Sequence, residues 1–140
     1  MKIKKINEWD KVVENIFHKL GKKNLILLSG DLGAGKTTLT QFIGKKLKIK
    51  EKINSPTFIL SKKYSIKNKD FPFKNLIHID AYRLKNSHDL ELIDFFENLK
   101  NKENLIILEW PEQVEEIFKL PALKIKIDYD FETNERNIQF

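Results

Sequence analysis

The stretch Gly30-Asp31-Leu32-Gly33-Ala34-Gly35-Lys36-Thr37 constrains this chain more than any other part of it. It fits G-x-x-x-x-G-K-[ST] at every required position, and that pattern needs a buried strand before it and a helix after it. Both are legible. Asn24 to Ser29 contains the unbroken run Leu25-Ile26-Leu27-Leu28, which suits a strand buried on both faces of a parallel sheet. Leu39, Phe42, Ile43 and Leu47 mark an amphipathic helix after the loop. Each loop residue type has a task. Gly30, Gly33 and Gly35 allow a tight turn in which successive N–H groups point at phosphate oxygens. The helix beginning near Lys36 adds the positive end of its dipole. Lys36 is expected to reach the β- and γ-phosphates, and the Thr37 hydroxyl to bind Mg²⁺. Asp31, Leu32, Ala34 and Thr38 complete the expected ATP cradle. Three of the chain's five glycines lie in this loop, which an ordinary turn would not require.

The rest of the pattern alternates in type and predicts an α/β protein. Trp9, Val12, Val13, Ile16, Phe17 and Leu20 recur at helical spacing between Asn7, a candidate N-cap, and Gly21, a stop. Phe58 to Ile66 reads as a strand, followed by the polar turn Lys67-Asn68-Lys69-Asp70 and an apolar strand from Leu76 to Ala81. Ser87 is a candidate N-cap for a helix carrying Leu92, Phe95, Phe96 and Leu99. Leu105 to Leu108 is the second unbroken apolar run and hence a second central strand. Leu123, Ile125 and Ile127 alternate with charged residues, as an outer antiparallel strand with one wet face would, and Arg136 to Phe140 closes the sheet. The expectation is a single P-loop NTPase domain over residues 1–140, with a mostly parallel central sheet flanked by helices and antiparallel C-terminal strands.

Composition narrows the function. With no cysteine, disulfides, Cys-ligated zinc and thiol catalysis are excluded. No run approaches the roughly 20 apolar residues of a membrane helix. Nothing behind Met1-Lys2-Ile3-Lys4-Lys5-Ile6 resembles a signal peptide, so a cytoplasmic location without membrane contact is expected. The net charge of +6 is carried by lysines scattered through every segment, with Arg83 and Arg136 the only arginines. That distribution fits a solvated surface better than a nucleic-acid face.

A phosphate loop alone does not choose a reaction. A GTPase would carry Asn-Lys-x-Asp; Asn68-Lys69-Asp70 lacks the spacing and Asn101-Lys102-Glu103-Asn104 lacks the aspartate, so ATP is expected over GTP. Two arginines argue against the arginine-rich lid of a small-molecule kinase. A stand-alone kinase nevertheless stays an alternative, as does a nucleotide-gated interaction module with little hydrolysis. Glu109 and Asp80 each end an apolar run, where ligands of α/β sheets sit; each is a candidate for the metal or a strand-end acid facing water. Ser55-Pro56-Thr57 is either a γ-phosphate-sensing segment or a plain turn. His78, Asp80 and Tyr82 share one strand face, and His78 reads as a hydrogen-bonded structural histidine rather than a catalytic one. Tyr82 and Arg83 anchor the strand end or face a partner; Trp110 packs the core or forms a functional surface.

Four blocks in order, Gly30 to Thr38, Ser55-Pro56-Thr57-Phe58, His78-Ile79-Asp80-Ala81-Tyr82-Arg83 and Glu109-Trp110-Pro111-Glu112, closely resemble the TsaE (YjeE) family over about Asn7 to Phe140. The resemblance implies a Mg²⁺-dependent ATPase of bacterial tRNA threonylcarbamoyladenosine biosynthesis, weak alone and dependent on partners. Such a protein does not itself modify RNA; it works with the TsaD–TsaB complex and meets tRNA indirectly through it. Carried over by position, Lys36, Thr57 and Asp80 form the catalytic set, Asp80 being the acid near the reacting phosphate. Thr37 and Glu109 hold the metal, Ser55-Pro56-Thr57 is a switch-like segment, and Trp110 is a functional tryptophan. Two places depart from the pattern. Asp94-Phe95-Phe96 directly follows Leu90-Glu91-Leu92-Ile93 where the family has a glycine and further residues, which implies a shortened helix. Asn134-Glu135-Arg136 aligns only loosely with a nucleotide-side arginine region.

Overall fold

In a computed structural model covering residues 1–140, the two unbroken apolar runs become neighbouring strands at the middle of one seven-stranded sheet. The strands are β1 (Lys2–Ile3), β2 (Leu25–Ser29), β3 (Ser61–Ser65), β4 (Asn75–Asp80), β5 (Asn104–Glu109), β6 (Leu123–Asp130) and β7 (Glu135–Gln139). Their spatial order is β1-β7-β6-β2-β5-β4-β3. β6, β2, β5 and β4 run parallel. β3 on one side, and β7 and β1 on the other, pair antiparallel.

Side-chain alternation along these strands divides the core in two. Ile26, Leu28, Leu76, Leu105 and Ile107 pack with α1 (Trp9–Leu20) and α2 (Lys36–Lys46). Leu25, Leu27, Ile77, Ile79, Ile106 and Leu108 pack with α3 (Phe95–Lys100) and the 3₁₀ segments Ser87–Ile93 and Pro111–Lys119. Two covered faces are why β2 and β5 lack polar alternation. No helix is long and apolar enough to cross a membrane.

Several boundaries differ from the sequence reading. β6 is not an outer antiparallel strand: it lies third from the edge and pairs parallel to β2. Its alternation is real, with Leu123, Ile125 and Ile127 buried and Lys124 and Lys126 exposed. A wet face shows only that one side of the sheet is uncovered there, and says nothing of strand position. The strand expected from Phe58 begins only at Ser61, because the chain first turns, with Leu60 N–H donating to Pro56 O at 2.6 Å and Leu60 at φ 66°. Phe58 and Ile59 are left in solvent. The helix expected after Ser87 is two short pieces separated by Asp94 at φ 55°, which leaves Leu92 exposed and buries Phe95. α1 is entered through a 3₁₀ turn over Ile6–Glu8, where the Glu8 carboxylate, and not Asn7, accepts the N–H groups of Lys4 and Lys5.

Gly30 joins the loop to this framework. A Cβ there would lie 2.5 Å from the Ile127 carbonyl oxygen in β6 and 3.3 Å from Ala34 Cβ, at a φ of 150° that side chains avoid. The obstacle is backbone and cannot rotate away. Gly30→Ala is therefore expected to destabilise the fold by roughly 2–4 kcal/mol, combining overpacking with backbone strain. Urea unfolding checks this, with Gly33→Ala, which meets no atom within 4 Å, as the strain-only comparison.

Candidate functional site

Parallel pairing assembles the site. Leu28, next to the end of β2, lies opposite Glu109 of β5, and Glu109 lies opposite Asp80 of β4. Two carboxylates thus arrive side by side at the edge where the loop leaves β2. The loop turns through glycines at φ 150°, 80° and 115° into α2. A cleft of about 440 Å³ opens there, bordered by Lys36, Thr37, Thr57, Asp80, Glu109 and Trp110.

Lys36 is 5% exposed. Its ammonium donates to the carbonyl oxygens of Gly30 and Asp31, the latter at 3.0 Å, and stands 4.1 Å from the centre of the Trp110 ring. Burial pushes its pKa below the ordinary lysine value, opposed by the nearby charges of Glu109, Asp80, Glu112 and Asp31. The lysine thus rests on the loop's own carbonyls and an aromatic face. Thr37 Oγ1 donates to Glu109 Oε1 at 3.1 Å. The buried His78 Nε2 meets the same oxygen at 2.7 Å. Asp80 is fully engaged: Oδ2 accepts from the hydroxyls of Ser55 and Thr57, each at 3.0 Å, and Oδ1 accepts the Tyr82 N–H at 2.9 Å.

The remaining loop residues divide by orientation. Asp31 and Leu32 point into solvent, Leu32 being 85% exposed, so they offer a ligand chiefly backbone; Ala34 is buried beneath. Gly33, Gly35 and Thr38 border the cleft. Trp9 lies under the loop, where a Cβ on Gly35 would come within 3.0 Å of its ring. Three features escaped sequence reasoning. Ser55 is a second hydroxyl on Asp80, Trp110 faces Lys36, and Arg136 braces the loop by donating to Ala34 O at 2.9 Å while stacking on Tyr129. Only the Ser-Pro-Thr block offered a local signal; the other two contacts join segments far apart in the chain.

The residues present suit a small hard cation. No group of three or more His, Asp or Glu side chains gathers into a metal cage. Thr37 and Glu109 instead offer two oxygen donors beside the phosphate loop, and Mg²⁺ is commonly held by one or two protein oxygens, substrate phosphates and water.

A glycine-rich loop opening the helix after a central parallel strand, with carboxylates at the ends of the adjoining strands, defines a P-loop nucleotide-binding protein. Residues 3–138 match the family model for the threonylcarbamoyl adenosine biosynthesis protein TsaE. The tRNA threonylcarbamoyladenosine biosynthesis protein TsaE of Streptomyces coelicolor is 38% identical over 75% of this chain and 68% of its own length. That of Haemophilus influenzae is 34% identical over 84% and 70%, and that of Bacillus subtilis 36% identical over 74% and 60%. A crystal structure of Bacillus subtilis YdiB superposes with a TM-score of 0.68 at 27% identity, covering 99% of this chain and 80% of that one. The chain belongs to the TsaE family, whose role lies in tRNA threonylcarbamoyladenosine biosynthesis.

Lys36 carries a cost that its site explains. Because its pKa falls on folding, the unfolded state holds the proton more tightly, and wild-type stability rises as pH climbs from the lowered value toward the ordinary lysine range. Lys36→Met removes that penalty. By scanning calorimetry the ligand-free variant is expected to melt no lower than wild type and to lose this rise with pH. It should also lose the stabilisation by ADP, which for wild type is about 2.7 kcal/mol at about 100 times Kd.

Proposed function

We propose that this protein binds Mg²⁺ and ATP in the cleft and hydrolyses the nucleotide, slowly alone and faster with the TsaD–TsaB complex that carries out the tRNA modification. The observation that carries this reading is convergence: Lys36, Thr37, Thr57, Asp80 and Glu109, drawn from four separate segments, border one cleft. The loop N–H groups and the α2 dipole bind phosphate oxygens. Lys36 exchanges its carbonyl and tryptophan contacts for the β- and γ-phosphates, a strong charge-assisted set. Thr37 and Glu109 hold the cation, which when bound draws charge from the phosphate oxygens. Asp80, two strands from the loop, is the acid that serves the reacting phosphate.

The Ser55-Pro56-Thr57 segment supplies the readout. Its two hydroxyls lie on Asp80, and Phe58 beyond them is 84% exposed beneath the Arg83 guanidinium, 4.8 Å away. A γ-phosphate that draws Thr57 from Asp80 shifts Phe58 as well, so ATP and ADP leave different surfaces for a partner. Differential contact of this kind is what a nucleotide must supply to move a two-state equilibrium.

Hydrolysis measured with and without purified TsaD–TsaB tests the reading; stimulation is expected, and phosphoryl transfer to an added metabolite instead would favour a kinase. Two substitutions separate the acids. Glu109→Gln is expected to raise the Mg²⁺ requirement, whereas Asp80→Asn should slow turnover by roughly 100-fold or more while Mg²⁺-ATP still binds; a metal titration on both variants checks the assignment. For the switch, TsaD–TsaB affinity is expected to differ between a non-hydrolysable ATP analogue and ADP, with Thr57→Ala narrowing the gap. Equal wild-type affinities would leave the segment an ordinary turn.

A further inference from the structure

His78 occupies a position where an aliphatic side chain would be cheaper. It is 0% exposed on β4, on the sheet face that carries Leu76, Leu105 and Ile107. Only one of its ring nitrogens has a partner: Nε2 meets Glu109 Oε1 at 2.7 Å, while Nδ1 is buried with none. An ionised carboxylate only accepts, so the proton between them sits on Nε2 and the ring donates. Leaving Nδ1 unpaired in the interior carries a desolvation cost that a leucine would not. Stability alone therefore gives no reason for a histidine here.

The carboxylate it touches does. Glu109 has two side-chain donors, His78 and Thr37, and both favour one oxygen: Thr37 Oγ1 lies 3.1 Å from Oε1 and 3.5 Å from Oε2. Oε2 keeps only the long contact. Thr37, moreover, lies in the first turn of α2 directly after the loop and is itself read as a ligand to the cation, so it cannot hold Glu109 independently of what the loop binds. His78 is on β4, inside the sheet and outside the loop. The geometry points to His78 as the positioning residue of the metal carboxylate, pinning Glu109 Oε1 so that Oε2 is presented to the divalent cation before nucleotide arrives. Partners that orient a metal ligand in this way are a general feature of metal sites. The inference rests on reading Thr37 and Glu109 as the metal site.

The test uses Mn²⁺ in place of Mg²⁺, with binding to the full chain followed by electron paramagnetic resonance at saturating ADP. ADP affinity without metal is measured alongside by calorimetry. His78→Leu is expected to weaken Mn²⁺ binding by roughly 10-fold or more, as loss of such a partner commonly does, with metal-free ADP affinity unchanged. His78→Gln, which returns an N–H donor with enough reach, should recover most of the binding; the shorter His78→Asn should not. That polar pair decides the matter should the leucine variant fail to fold. In a Glu109→Gln background, His78→Leu should change Mn²⁺ binding no further. Wild-type Mn²⁺ affinity in both His78→Leu and His78→Asn, or an equal loss of metal-free ADP binding, would overturn the inference while leaving the nucleotide site standing. Failure of wild type to bind ADP at all would overturn the nucleotide reading, and this inference with it.

Discussion

The chemistry of this protein depends on the register between three parallel strands. Leu28 opposite Glu109, and Glu109 opposite Asp80, bring the start of the phosphate loop and both acids to one level of the sheet. A slip of one residue along β5 would turn Glu109 to the other face and Leu108 toward the nucleotide. What prevents it is burial on both sides. The runs in β2 and β5 feed two separate apolar clusters, so a slip exchanges the side chains of both cores at once. Packing away from the cleft thus sets positions inside it.

Against this apolar frame, the site concentrates buried polar groups on one face. Lys36, His78, Asp80 and Glu109 are each at most 5% exposed. They pair with one another and with the backbone, except at His78 Nδ1: the lysine on loop carbonyls and Trp110, the histidine and Thr37 on Glu109, the serine and threonine of the next segment on Asp80. Such networks are costly when only partly satisfied.

Local signals carried a good deal of this. The glycine spacing, the two unbroken apolar runs and the helix stripe from Trp9 to Leu20 each reflect interactions within a few residues, and each appears in the structure close to where periodicity put it. Places where local signal misled have a common cause. Phe58 and Ile59 have strand-like composition, yet Pro56 and the turn at Leu60 keep them out of the sheet. Leu92 and Phe96 look like a helix stripe, yet Asp94 in the left-handed region breaks the helix and Leu92 faces water. β6 alternates like an edge strand, yet it sits inside the sheet with one face uncovered.

The sequence by itself determined that a loop built for phosphate lies between a doubly buried strand and a helix. It also determined that acids end two apolar runs, because these patterns rest on backbone conformation and side-chain periodicity alone. Only the tertiary structure decided that Glu109 and Asp80 are neighbours, that Trp110 lies over Lys36, that Arg136 braces the loop from 102 residues away, and that His78 hydrogen-bonds Glu109. Those relations are set by strand order and register, which arise from how two apolar faces are covered by the whole chain, and no segment of the chain contains that information alone.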